Sequence, residues 1–381
     1  MSSVRMIVLV LGLGQAVAFA SSYYLLGVMA DPAAAALGIG TGPVFLALSG
    51  AFLVSAVLTP YAGQAIERVG GARVLAGSNL AFAVALLMMA AAPQPLVLCL
   101  GVVLLGVGMG AGLYGTAFAV LVEMQGQGAR RAIAAVSLLG ALGGALGWPI
   151  SREMLDLAGW RAAFGFWAAL HLFVCLPIAL TVLPRHKGQT KAAVDASTIR
   201  WSPTMIRMAI FFAGAWAVAS AMAAHLPRLL VDLGMTVERA AWAAGLMAAS
   251  AMAVRLLDIT VLHRSHPILT ARLATLFHPA GALLAVLLGA VGAPLAAVGQ
   301  GLANGFLSVA SGALPLKVFG AERYGMRQAL ILTPARYVQA AAPAVYALAL
   351  NVSPGVALAL SSAICLGMFA LSFSFRDASP T

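Results

Sequence analysis

Arg336 stands in the stretch Thr333-Pro334-Ala335-Arg336-Tyr337-Val338-Gln339-Ala340-Ala341-Ala342-Pro343, an arginine between two prolines with apolar runs on both sides. A guanidinium within a membrane-length apolar helix costs roughly 2.5 to 3.5 kcal/mol, so its surroundings must compensate it. Three sources of compensation are open: water in a central cavity, backbone carbonyls released where the prolines remove their hydrogen-bond donors, or an anion that is not part of the chain. A carboxylate at the same depth is not available. The eleven acidic residues (Asp31, Glu67, Glu123, Glu153, Asp156, Asp195, Asp232, Glu238, Asp258, Glu322 and Asp377) all fall at the ends of apolar runs or between them. A site for organic cations, or a proton relay through a buried carboxylate, would keep an acid at mid-membrane. Arg336 is therefore either a structural brace on a bent helix or a cation that holds an anionic ligand.

A second internal cation, Arg255, lies in Met252-Ala253-Val254-Arg255-Leu256-Leu257-Asp258. Its plain reading is an ion pair with Asp258, three residues on and on the same helical face; its functional reading is a second anchor for an anion. Neutral hydrogen-bonding groups accompany the two arginines: Gln15, Tyr23 and Tyr24, Tyr114 and Thr116, Trp216, Gln300 and Asn304, and Tyr337 and Gln339 beside Arg336. Polar side chains of this kind also serve as glue between membrane helices. As a ligand site, Arg336, Arg255, Tyr23, Tyr114, Gln300, Asn304, Tyr337 and Gln339 would suit a small anion, which needs one or two cations and several neutral donors. His225, in His225-Leu226-Pro227-Arg228, is the candidate for proton coupling because imidazole titrates near neutral pH. His171 and His278 are read as structural.

These groups need a scaffold of membrane helices. Of the 381 residues, 62% are hydrophobic and 9% charged, against about 25% charged in soluble domains. Apolar runs of spanning length recur at 4–30, 43–66, 73–92, 95–122, 130–151, 161–183, 204–228, 239–262, 267–289, 293–316, 326–349 and 354–375. A spanning backbone must satisfy its own hydrogen bonds, and the absence of short alternating strands leaves helices. The net charge of +11 sorts by side. Arg152, Arg161, Arg228 and Arg239 fall outside, Arg336 within a span, and the remaining seventeen Lys and Arg inside. That distribution places both termini in the cytoplasm. The beginning of the chain, with Arg5 and Ala18-Phe19-Ala20, imitates a secretory signal; its removal would invert the charge bias downstream, so it is read as the first span. Cys99, Cys175 and Cys365 stand alone in apolar runs and form no metal or disulfide pattern.

The polar stretch from Pro184 to Arg200 divides the spans into two groups of six. The expected domains are a bundle at 1–183, a cytoplasmic linker at 184–203 and a second bundle at 204–381. An internal repeat at an offset of 196 carries Leu37-Gly38-Ile39 onto Leu233-Gly234-Met235 and Arg68 onto Arg264, a mark of parallel transporter halves. After the second span the chain reads Gly63-Gln64-Ala65-Ile66-Glu67-Arg68-Val69-Gly70-Gly71-Ala72-Arg73. This resembles the signature cytoplasmic loop of the major facilitator superfamily, with Glu67 where aspartate is commoner. Its counterpart, Arg255 to Asp258 followed by His263-Arg264, lacks the glycines. The resemblance covers nearly the whole chain and implies an all-α membrane protein of twelve helices in two pseudo-symmetric bundles. It also implies a conformational latch in which opposite charges at helix ends, Gly63, Glu67, Arg68, Gly70, Arg73, Asp258 and Arg264, hold one state.

An arginine in the eighth span with a cation in the eleventh is similar to the monocarboxylate and oxalate-formate branches of that superfamily, whose cations hold substrate carboxylates. Here the eleventh-span cation is arginine rather than lysine, and Gly115 follows Tyr114 where some bacterial relatives carry an acid. The resemblance implies a secondary carrier of a small organic anion, a monocarboxylate among the candidates, in the bacterial inner membrane. Protons or exchange would supply the coupling, and the carrier would act as a monomer with no cofactor, no metal and no nucleic acid.

Gly106 to Gly112 imitates a nucleotide loop, but it lies inside a span and reads as close helix packing. Gly140, Gly143, Gly144, Gly147 and Pro149 loosely resemble the glycine-proline motif of the superfamily's exporters. With sixteen methionines, they keep open an exporter of amphiphilic or toxic compounds. A membrane enzyme or sensor has no nucleophile-base spacing, metal cluster or appended domain behind it.

Overall fold

The computed structural model describes residues 3–184 and 199–375, and every regular element among them is a helix. The expected linker at 184–203 lies largely outside the described residues. In chain order the α-helices are α1 Ser3–Phe19, α2 Leu26–Ala36, α3 Gly42–Val69, α4 Gly71–Ala90, α5 Pro95–Gly112, α6 Tyr114–Gln125, α7 Arg130–Gly140 and α8 Leu142–Ala169. There follow α9 Leu176–Thr181, α10 Pro203–Asp232, α11 Val237–Thr260, α12 Pro267–Leu288, α13 Ala293–Phe319, α14 Tyr324–Val352 and α15 Pro354–Ser372. Two π-turns, Ala20–Tyr24 and Leu170–Cys175, interrupt the first and sixth spans.

Among the described residues nine stretches are long and apolar enough to cross a membrane, one of them the 87-residue Pro95–Thr181. That stretch contains three crossings. A 3-10 turn at Gly126–Ala129 ends the first, and Gly159, at φ 81° and ψ 171°, separates the other two; only glycine takes that conformation without strain. The twelfth crossing is α14, 29 residues long, which carries Arg327, Arg336, Pro334 and Pro343.

Local chemistry fixes where the helices begin. Proline occupies the first turn of α3, α5, α10, α12, α13 and α15, where its missing N–H is not needed. The Ser202, Thr236 and Ser353 hydroxyls accept from the first-turn amides of Met205, Arg239 and Val356. Large apolar side chains remain on the outside, among them Leu46, Phe173, Leu287 and Leu348, as expected of helices solvated by lipid. On α14 the exposed positions 337, 338, 341, 344, 345 and 348 form one helical stripe.

The chain forms two compact units. Unit 1 comprises Met1–Ile199 and Arg323–Leu330, and unit 2 comprises Arg200–Glu322 and Ile331–Thr381. The start of α14 therefore groups with the first half of the chain, a departure from the simple division at the central linker.

Small residues let the helices approach. In unit 1 a side chain at Gly106 would strike the backbone of Ala51, and one at Gly108 the ring of Phe82. The glycines of the fifth span lie against the first and fourth: Gly140 on Tyr114, Gly143 on Ala16, Gly144 on Tyr24 and Gly147 on Ala20. In unit 2, Gly301 and Gly305 of α13 abut Met247 and Ala251 of α11, and Gly299 abuts α12. With neighbours this close, α13 is the most buried of the spans. Gln300 and Asn304 are thereby carried into the centre of unit 2.

Candidate functional site

In unit 2, Arg336 projects from the middle of α14 and is partly buried. Its Nη1 donates to Gln339 Oε1 at 3.3 Å, and the guanidinium lies 5.9 Å from the centre of the Trp216 ring, within cation-π range. Gln339 is one turn on and 3% exposed. The two prolines do not break α14, which runs unbroken past both. Pro343 still removes the amide that would have bonded the Gln339 carbonyl, and that oxygen accepts from Ser220 Oγ of α10 at 3.0 Å. The released carbonyl thus binds a hydroxyl from a neighbouring helix. Tyr337, named with Arg336 in the sequence reading, is 43% exposed and lies on the apolar stripe of α14, apart from the side holding Gln339.

Arg255 is 7% exposed, and its Nε donates to Ser308 Oγ at 2.9 Å. The bond crosses from α11 to α13 instead of running along α11 to Asp258. Asp258 is fully buried and accepts from Thr270 Oγ1 of α12 at 3.3 Å. Gln300, 2% exposed, and Asn304 line a void together with Thr275, His278, Cys365 and Met368. His225 Nε2 donates to the Pro343 carbonyl at 2.9 Å, and its ring stacks on Tyr346 with centroids 6.0 Å apart. Since a carbonyl only accepts, Nε2 carries a proton.

In unit 1, Tyr23 and Tyr114 belong to an aromatic cluster. Phe19 contacts both, at 5.9 and 4.7 Å, Tyr23 also packs on Phe52, and Tyr114 stacks on Phe118. Tyr114 Oη donates to the Ser137 carbonyl at 3.0 Å. Gln15 Nε2 donates at 2.8 Å to the carbonyl of Gly112, just before the extended residue Leu113 that separates α5 from α6. Beneath this cluster the two π-turns meet. Ser21 Oγ lies 2.8 Å from His171 Nε2, and His171 Nδ1 lies 2.7 Å from Asn79 Oδ1. The π-turns provide the extra residue that aims Ser21 and His171 at each other.

One of the latch residues, Glu67, contacts the start of α14. Glu67 Oε1 accepts from the backbone N–H of Met326 at 3.2 Å, in the first turn of α14. Gly63 leaves room for it: a Cβ there would lie 2.6 Å from Ala329 Cβ and 3.1 Å from Met326 Cα. Helix N-termini carry unsatisfied amides and a partial positive charge, so this carboxylate caps a helix. Gly70, at φ 86°, turns the chain from α3 into α4. Arg68 and Arg73 are exposed. In the second half, Asp258 is buried against Thr270 whereas Arg264 is exposed, and neither reproduces the Glu67 contact.

The structure therefore gathers Arg336, Gln339 and Trp216 in one group and Gln300 and Asn304 at one void, ties Arg255 to α13, and holds Tyr23 and Tyr114 in unit 1. Sequence reasoning passed over Ser220, Ser308 and Ser361, because a lone serine in an apolar run carries no spacing signal.

The sequence matches the profile of the Major Facilitator Superfamily over residues 11–333. No curated protein matches. Among solved structures, the human organic anion transporter MFSD10 (TETRAN) is similar at 16% identity, over 98% of this chain and 100% of that one, with a TM-score of 0.75. The proton:xylose symporter XylE bound to 6-bromo-6-deoxy-D-glucose is similar at 12% identity, over 98% and 95%, with a TM-score of 0.73. The fucose:proton symporter FucP of E. coli is similar at 15% identity, over 99% and 100%, with a TM-score of 0.74. Identities this low concern the fold alone, but the profile match extends over most of the sequence and agrees with the twelve crossings: the chain belongs to the major facilitator superfamily.

Proposed function

We propose that this multi-pass secondary transporter carries a small organic anion by alternating access, with a monocarboxylate as the leading candidate. The observation that carries the reading is Arg336. It is a partly buried guanidinium within a span, in contact with a neutral amide and an indole face, in a chain whose acidic residues all lie at span ends or in loops. Arginine offers a fixed fork of donors that matches a carboxylate. Gln339 orients that fork through one bond. Arg255, tied to Ser308, is in this reading a secondary cation that tunes the local potential. His225 is the candidate for proton coupling, and release of α14 from Glu67 accompanies the change of access. The bacterial inner membrane, cytoplasmic termini and a monomeric state complete the proposal.

Uptake into proteoliposomes tests the substrate class. Labelled formate, pyruvate and oxalate are compared with labelled organic cations, for the wild type and Arg336→Ala. The reading expects uptake of acids that the substitution abolishes. Normal acid uptake by a folded Arg336→Ala protein, or uptake of cations alone, defeats it.

A second reading, export of amphiphilic compounds, rests on an apolar cavity in unit 1 lined by Leu11, Leu13, Val17, Phe82, Val174 and Ile178, with Gln15 and Asn79 also on its wall. The glycines of the fifth span lend it less, because each packs against a named neighbour. Drug efflux without acid uptake would favour it.

A further inference from the structure

Gln15 uses one end of its amide and leaves the other bare. Its Nε2 donates to the Gly112 carbonyl at 2.8 Å; because a carbonyl only accepts, that bond fixes the NH2 on one side and the oxygen on the other. The carbonyl is available because α5 ends at the extended Leu113, where the amide of Thr116 bonds the Leu113 carbonyl instead. Gln15 is 2% exposed, and no described residue donates to its buried Oε1. Such an acceptor costs about 1 to 3 kcal/mol. A role as glue between helices accounts for the NH2 and not for the oxygen.

Gln15 is part of the wall of the apolar cavity in unit 1, whose volume is about 140 Å³. Leu13 and Val174 line the same cavity and are exposed, so it adjoins the surface that lipid covers. At Gly14, also on the wall, a Cβ would meet nothing within 4 Å. The neighbouring polar side chains are engaged elsewhere. Ser78 Oγ and Asn79 Nδ2 both bond the Leu75 carbonyl, and Asn79 Oδ1 lies 2.7 Å from His171 Nδ1.

Whatever completes the amide must bring a donor. A buried water is held by roughly two to four polar partners, and the engaged serine and asparagine leave it little besides the Gln15 oxygen. A hydrocarbon such as a lipid acyl chain fills the space and leaves Oε1 unmet. An anion offers no donor, and a cation would enter without a carboxylate among the lining residues to meet it. A neutral molecule with an apolar body and one O–H or N–H meets both demands. Its size follows from the volume, since an apolar cavity of about 150 Å³ takes up a benzene ring.

We propose that the unit 1 cavity is a binding site for a neutral amphiphile of about one ring in size, a phenol being the model, which enters from the lipid side and donates to Gln15 Oε1. The site lies within unit 1 and does not depend on Arg336. It goes beyond both transport readings, because the ligand binds whether the protein carries acids or exports other compounds.

The test is 19F NMR of the full-length protein in lipid nanodiscs, with empty nanodiscs as the background. The probes are 4-fluorophenol and 4-fluorotoluene, which match in size and differ by a hydroxyl against a methyl. The expected result is a saturable bound signal for 4-fluorophenol. Gln15→Met keeps the length of the side chain and removes the amide; it should lower the affinity ratio of 4-fluorophenol to 4-fluorotoluene by roughly fivefold to tenfold, the worth of about one hydrogen bond. Comparing the ratio between proteins cancels each probe's partition into lipid. Ala179→Met narrows the cavity from the sixth span with the amide intact and should weaken both probes. If Gln15→Met does not fold, the Ala179→Met result decides. No saturable 4-fluorophenol signal above the background, an unchanged ratio in Gln15→Met, or binding indifferent to Ala179→Met overturns the proposal. Acid uptake is measured apart from these, so its failure bears on Arg336 and not on this site.

Discussion

Each unit buries a histidine among helices, and the two are finished differently. In unit 1 both nitrogens of His171 have short partners, Ser21 and Asn79, and the ring stacks on Phe82 at 4.8 Å. In unit 2 His278 has one short partner, Ser361, and lines a void together with Gln300. A closed network fixes helices and does little else. One left open toward a cavity can respond to what enters. The two arginines singled out within spans, Arg255 and Arg336, both belong to unit 2. Unit 1 holds the aromatic cluster, the buried Arg130 and the Glu67 cap on the start of α14.

The comparison can be broken by substitution. The largest effect should come from His171→Leu, which strands Asn79 Oδ1 in an apolar core at about 1 to 3 kcal/mol, while Ser21 keeps the Ala18 carbonyl. Thermal unfolding in detergent should show a clear loss of stability, whereas His278→Leu should cost less than half as much, because Ser361 can turn to the Ala357 or Leu358 carbonyl. Equal losses would erase the distinction. Next comes Gly63→Val. Its side chain would collide with Ala329 and Met326, so a cysteine placed at Ala329 should label faster with a thiol reagent in the variant. Unchanged labelling would mean that the contact is not held in the membrane.

Glu67→Gln should act in the same direction and more weakly, removing a charge from a helix N-terminus that is worth about 0.3 to 1 kcal/mol. Labelling at the same cysteine would rise modestly and rise less in high salt. The smallest change is Ser220→Ala, which strips the released Gln339 carbonyl of a bond worth about 0.5 to 1.5 kcal/mol. A small drop in melting temperature with acid uptake retained is the expected outcome.

The architecture was legible because membrane helices announce themselves by length and apolarity. The loop around Glu67 was recognisable from its glycines, but its partner was not: the amide of Met326 lies 259 residues away, and backbone groups leave no trace in side-chain pattern. The angular position of Tyr337 was also hidden. In a helix greasy on every face, apolar periodicity does not separate lipid from protein, so the residue beside Arg336 in sequence turned out to lie on the outward stripe. The π-turns at Ala20–Tyr24 and Leu170–Cys175 rotate the residues after them by a step that no heptad or 3.6-residue count anticipates. His278 reads as structural because the ninth span is peripheral in the fold that the sequence resembles.

The central claim is that Arg336 meets the substrate. The most direct measurement is an experimental density map of the protein with a transported acid bound. The account predicts a carboxylate within about 3 Å of the guanidinium, with Gln339 still holding the arginine from the other side. Ligand density elsewhere, with the guanidinium turned to lipid or clamped by main-chain oxygens, would contradict it.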